Sequence, residues 1–153
     1  MTVTHMDSSL EKQDGEWFDS LPVKGGIYDL VNATRSGHST TERLRAISAL
    51  GKSDDPRAVR PLVDLLDDAN PEIRLCATSA LGQLKSGRPV DDLIARLKDQ
   101  KELPATRREA AAALTMIRST GALRGLRDFI TDEKEDLDLR SYADTLLKMN
   151  GLW

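Results

Sequence analysis

One fourteen-residue stretch, Pro71-Glu-Ile-Arg-Leu-Cys-Ala-Thr-Ser-Ala-Leu-Gly-Gln-Leu84, recurs in altered form on both sides of itself. That recurrence restricts the possible folds more than any other feature of the chain. Within the stretch Ile73, Ala77, Ala80, Leu81 and Leu84 fall at i, i+4, i+7, i+8 and i+11, the apolar stripe of an amphipathic α-helix. Asn70 suits the N-cap, and Pro71 suits a first turn, where a missing N–H costs nothing. The pattern returns in Pro104–Ile117, with Arg74 on Arg107, Ala77 on Ala110, Ala80 on Ala113 and Leu81 on Leu114. The same step taken again brings Arg140, Ala143, Leu146 and Leu147 into register, and a nearly equal step back reaches Arg43, Ala46, Ala49, Leu50 and Gly51. Four matches at such regular spacing make an internal repeat.

Each copy has a partner helix before it. Val59, Leu62, Val63 and Leu66 align with Val90, Leu93, Ile94 and Leu97, then with Leu123, Leu126 and Ile130; a weaker version, Ile27, Leu30, Val31 and Thr34, precedes the first copy. The unit is therefore a helical hairpin, and about four of them stack. Ala46, Ala77, Ala110 and Ala143 mark the positions where backbones approach closely, and larger residues there should cost about 1–3 kcal/mol by overpacking.

The run Asp55-Pro-Arg-Ala-Val-Arg-Pro-Leu-Val-Asp-Leu-Leu-Asp-Asp followed by Pro71–Leu84 resembles the short HEAT-like repeat associated with phycobilisome lyases. The resemblance implies an all-α fold, a right-handed α-solenoid of about four HEAT-like hairpins. It also implies a structural ladder between units, an arginine of the second helix meeting an acidic residue near the hairpin turn. Asp68 and Arg74 have the six-residue spacing of such a pair, and Arg43 and Arg140 extend the arginine column. Lys101 and Lys134 stand at the acidic position before Arg107 and Arg140, so the ladder is expected to break there. HEAT-type hydroxylases carry His-Glu pairs as iron ligands; this chain has no His-Glu dipeptide.

Composition bounds the rest. With 153 residues the chain can bury one core; aromatics are only 4%, and Leu, Ala, Ile and Val supply the apolar volume. Net charge is −3, which opposes nonspecific nucleic-acid or membrane binding. The charge is concentrated at the start, where Asp7, Glu11, Asp14, Glu16 and Asp19 face Lys12 alone. Residues 1–22 read as a flexible acidic tail, with Trp17 and Phe18 as a cap for the first hairpin, and residues 23–153 as the solenoid. One cysteine and no long apolar run fit a cytoplasmic protein without disulfides or membrane spans.

Catalytic and cofactor signatures are weak. His5 and His38 are the only histidines, and no His pair or Cys/His cluster has metal-ligand spacing, so neither a metal nor a cofactor is expected. Arg107, Arg108, Glu109, Met116, Tyr142, Met149 and Cys76 lie off the apolar stripes and are the candidate partner-binding set. Arginines in register suit carboxylate or phosphate, and aromatic and Met side chains suit an interface. The expectation is a noncatalytic interaction or scaffold module that holds an unknown protein partner on its concave face. The alternative implied by the resemblance is a bilin-lyase-like enzyme or chromophore-handling accessory factor; nucleic-acid binding is the third reading.

Overall fold

A computed structural model describes residues 26–153. The acidic tail and the Trp17-Phe18 cap lie outside the described residues. Eight α-helices follow one another, with no strand among the described residues. The outer helices are α1 (Ile27–Ala33), α3 (Val59–Asp64), α5 (Val90–Lys98) and α7 (Thr120–Thr131). The inner helices are α2 (Thr40–Gly51), α4 (Pro71–Leu84), α6 (Pro104–Ile117) and α8 (Leu137–Met149). Outer and inner helices pair into four hairpins, and each inner helix packs on the next. The chain is an all-helical α-solenoid.

Local chemistry places the boundaries. The Ser39, Asn70, Ser119 and Asp136 side chains each accept a backbone N–H from the first turn of α2, α4, α7 and α8. Pro71 and Pro104 open α4 and α6. The second outer helix is shorter than its apolar pattern: α3 is flanked by 3-10 turns at Pro56–Ala58 and Leu65–Asp67. Pro61 lies inside it and has no N–H to return to the preceding turn, so a regular run through that region loses a hydrogen bond.

The core is the sum of the hairpin stripes. Ile73, Ala77 and Leu81 of α4 are fully buried, as are Leu62, Leu93 and Leu97 on the outer layer. On α7 the buried pair is Leu126 and Phe129, while Leu123 and Ile130 are half-buried. Phe129 is the largest fully buried side chain of the described residues, and the sequence stripe did not include it.

Arginines tie the layers in one repeated geometry. Arg43 Nε donates to the Thr34 carbonyl at 2.7 Å, Arg107 Nε to Leu97 at 2.8 Å and Arg140 Nε to Ile130 at 2.7 Å. Each bond satisfies a carbonyl at the end of the preceding outer helix. The guanidinium groups then reach forward into the following hairpin: Arg43 pairs with Asp68, Arg74 with Glu102 at 3.0 Å and Arg107 with Glu135 at 3.3 Å.

This corrects the expected pairing. Asp68 gives Arg74 only its backbone carbonyl, at 2.8 Å, because its carboxylate belongs to Arg43 of the hairpin before. Nor does the ladder break at Lys101 and Lys134. Glu102 and Glu135, one position later, supply the carboxylates. The pairs join residues 25 to 28 apart, across hairpins, and a search within one hairpin misses them.

Candidate functional site

Two small-residue columns set how closely the inner helices approach. A Cβ added to Gly51 would stand 2.9 Å from the Ala80 Cα and Cβ, and one added to Gly82 would stand 2.9 Å from those of Ala113. These contacts leave no room for a side chain. The next members of the columns, one repeat beyond Gly82 and Ala113, are Thr115 and Leu146. Thr115 is buried, its hydroxyl donating to the Ala111 carbonyl at 2.9 Å. With both small residues replaced, α6 and α8 lie together over less of their length than α4 and α6 do.

The divergence opens a groove of about 640 Å³ at the C-terminal ends of α4, α6 and α8. Ala112, Met116, Ile117 and Leu146 supply its apolar wall; Lys85, Arg118 and Asn150 stand at its polar margin. The volume lies within the range of small-molecule sites. Arg118 donates to the Asn150 side-chain oxygen at 3.4 Å, a long bond that spans the gap between the ends of α6 and α8.

Both cations sit on left-handed backbone. Lys85 has φ of 54° and Arg118 of 58°, and the equivalent positions Asp54 and Gly151 have 53° and 65°. A left-handed C-terminal residue lets a helix end sharply, and glycine fills that position at no steric expense. A side chain there costs about 1–2 kcal/mol. The column therefore calls for glycine at every hairpin exit, and two of its members beside the groove are long cations instead.

The remaining candidates separate into three groups. Arg107 is buried and engaged in the ladder by Leu97 and Glu135. Arg108 is exposed and lies over the Tyr142 ring, 5.8 Å from its centroid, while Glu109 and Tyr142 are half-buried. Met116 joins the groove, whereas Met149 is largely exposed and does not line it. Cys76 packs between α4 and α2 with Sγ 3.9 Å from the Leu44 carbonyl, and burial pushes its thiol pKa up. A raised thiol is a poor nucleophile. Sequence reasoning singled out Met116 but missed Lys85, Arg118, Leu146 and Asn150; the left-handed cap column, recurring once per hairpin, was the available signal.

Electrostatically the densest point is Glu102. Its carboxylate, almost fully buried, accepts from Arg74 at 3.0 Å, from Arg96 at 3.1 Å and from its neighbouring Leu103 N–H at 2.8 Å. Burial alone would raise its pKa, but Arg74, the Leu103 N–H and Arg96 outweigh burial and hold it below the ordinary value. Asp68 is also lowered, chiefly by Arg43 and also by the Asn70 N–H, against a smaller effect of burial. These carboxylates are saturated by arginine and hydrogen bonds. Among the described residues no group of three or more His, Cys, Asp or Glu side chains could hold a metal ion. The described donors therefore do not suit the paired iron ligands of HEAT-type hydroxylases.

A family model for HEAT repeats matches residues 27–103, half of the chain. The chain belongs to the HEAT-repeat family. No curated protein sequence matches it. Among solved structures it is similar to human deoxyhypusine hydroxylase in complex with glycerol, at 26% identity and a TM-score of 0.74. That likeness covers 85% of this chain and 45% of the hydroxylase chain, so this chain spans less than half of the enzyme's length. The finding corrects the expectation of a noncatalytic scaffold. The same stacking of hairpins is used by an enzyme, and a solenoid with few catalytic signatures is not thereby an inert one. Among the described residues no helix is long and apolar enough to cross a membrane.

Proposed function

We propose that this HEAT-repeat chain is an enzyme of the lyase type, or an enzyme's accessory factor, that holds an elongated apolar molecule with carboxylates, of the linear-tetrapyrrole kind, in the groove between α6 and α8. The observation that carries this reading is the pairing of an apolar wall with two cations, Lys85 and Arg118, on backbone that favours glycine. Strained residues persist where the surrounding structure over-determines them, and they cluster at ligand sites. A ligand with two carboxylates would meet the ammonium of Lys85 and the guanidinium of Arg118, the latter suited to bidentate contact. Met116, Ile117 and Leu146 would cover the conjugated body, Met adapting its shape to it. The likeness to an enzyme built from the same hairpins supports the catalytic class over a passive one.

The chain's own part would be binding and orientation. The Thr115 hydroxyl is already committed to Ala111, and the Cys76 thiol is held neutral away from the groove. The acceptor of any transferred group would then come from the protein being modified. A spectral titration with biliverdin tests the reading: a saturable absorption change at one ligand per chain is expected, weakened about tenfold or more by the combined Lys85→Gly and Arg118→Gly changes. An absence of any spectral change, or one equal in the double variant, would sink it.

A further inference from the structure

Of the three asparagines in the chain, Asn150 alone stands before a glycine. Asn70 precedes Pro71, whose nitrogen carries no proton, and Asn32 lies inside α1 before Ala33. The backbone nitrogen that follows an asparagine can attack the side-chain amide carbonyl and close a five-membered ring. Proline cannot make that attack, a Cβ on the following residue obstructs it, and glycine presents neither barrier. Asn150 and Gly151 follow α8 on the rim of hairpin exits, where Asp54, Lys85 and Arg118 are exposed in the same way. The exposure of this turn therefore belongs to its place in the repeat. Across the groove Arg118 donates to the Asn150 Oδ1 at 3.4 Å, and the Asn150 Nδ2 donates to the Leu146 carbonyl at 2.8 Å. The guanidinium thus stands beside the oxygen on which negative charge develops during attack. The bond of Nδ2 to Leu146 and that of the Gly151 N–H to the Lys148 carbonyl, at 3.1 Å, hold the resting state. Both belong to the terminal turn of α8, and terminal turns fray.

We infer that Asn150 is a deamidation site whose product, a carboxylate at position 150, pairs with Arg118 and neutralises one cation of the groove's margin. The Gly151 nitrogen loses its proton to base and attacks the Asn150 Cγ. The N–Cγ bond forms, the Cγ–Nδ2 bond breaks, and Nδ2 departs with a proton as ammonia. Water then adds to either carbonyl of the cyclic imide and opens it to aspartate or isoaspartate. In sum, an amide and water become a carboxylate and ammonium, with no oxidant or reductant. The amide is a neutral acceptor for Arg118 and the carboxylate a charged one, and charge-assisted bonds are about twice as strong. Arg118 is then engaged within the chain, and an anionic ligand meets Lys85 alone. That effect on a ligand rests on the proposed use of the groove; the modification itself does not.

Peptide mass spectrometry tests the site on the full chain incubated in mildly alkaline buffer, with a synthetic peptide of residues 146–153 beside it as a clock. The mass gain of an amide-to-carboxylate exchange should map to Asn150 and leave Asn32 and Asn70 unchanged. Its rate should lie within about tenfold of the peptide's, since frayed turns open readily. It should slow in mildly acidic buffer, where less of the Gly151 nitrogen is deprotonated, and vanish in Asn150→Gln. An unmodified Asn150 after the peptide has converted, or equal conversion at Asn32, would overturn the site. The pairing is read without any ligand. Asn150→Asp supplies the carboxylate directly and should lower the melting temperature more when combined with Arg118→Gly than in the original chain; equal shifts would overturn the pairing. Biliverdin titration then separates the two readings. Binding by the original chain that weakens in Asn150→Asp supports the loss of a cation from the margin, and binding unaltered by that change overturns it. No binding by either chain counts against the proposed function, while the masses and the melts still decide the modification and the pairing.

Discussion

The interface between α4 and α6 and the one between α6 and α8 are built from the same repeat and end in opposite states. In the first, Gly82 meets Ala113 with no space for a methyl group, and Glu102 gathers two arginines beneath it. In the second, Thr115 and Leu146 stand where the small residues stood and line the groove, and a single bond of 3.3 Å joins Arg107 to Glu135. Close packing and a rich rung go together; a wide contact and a thin rung leave a groove. A repeat array is stabilised by nearest-neighbour interfaces, so loosening one boundary creates a site without unfolding the others.

The largest effect should come from breaking the tight side at its rung. Glu102→Leu leaves Arg74 and Arg96 short of a partner in a mostly buried place and should destabilise by about 3–5 kcal/mol in urea unfolding. Glu135→Gln, on the thin side, should cost about 1–3 kcal/mol, because only one bond to a charged group is lost. An equal cost for the two would remove the distinction between the interfaces. Acid titrates the same rungs. Asp68 and Glu102 have folded pKa values below their ordinary 3.8 and 4.5, so their stabilisation is complete above that range. It is lost as pH falls through the lowered folded values, and the melting temperature should drop there. In Glu102→Leu that drop should be smaller.

A second change attacks the packing. Gly82→Ala forces a methyl group onto the Ala113 backbone and should cost about 1–3 kcal/mol by overpacking. Helix propensity alone would make the same change favourable by up to about 1 kcal/mol, so the sign of the measured value decides whether close approach controls the site. The smallest effect sharpens the comparison from the loose side. Lys85→Gly and Arg118→Gly should each change stability by about 1 kcal/mol or less, in the stabilising direction, by relieving left-handed backbone. The same pair should weaken ligand binding, a trade of function for stability that thermal melts and titration read together.

Much of this was legible in the residues. Period, stripe and caps come from local chemistry, and local chemistry repeats with the sequence: Asn70 caps α4, and Pro71 and Pro104 open their helices, as the pattern indicated. The ladder was legible as a column of arginines but not as a set of pairs, since each carboxylate sits in another hairpin. The site was legible only in fragments. Met116 stood out by type, while Thr115 and Leu146 looked like ordinary members of a decayed repeat.

By itself, then, the sequence determined the helical hairpins, their number and the faces they bury, because periodicity and capping act over a few residues and survive in every copy. Tertiary structure alone decided which hairpins lie close and which part, and which acid meets which arginine. Those outcomes depend on whether two residues in neighbouring repeats leave room for a methyl group, or on carboxylates 25 to 28 positions away in the next hairpin. Such distances are set only when the helices stack.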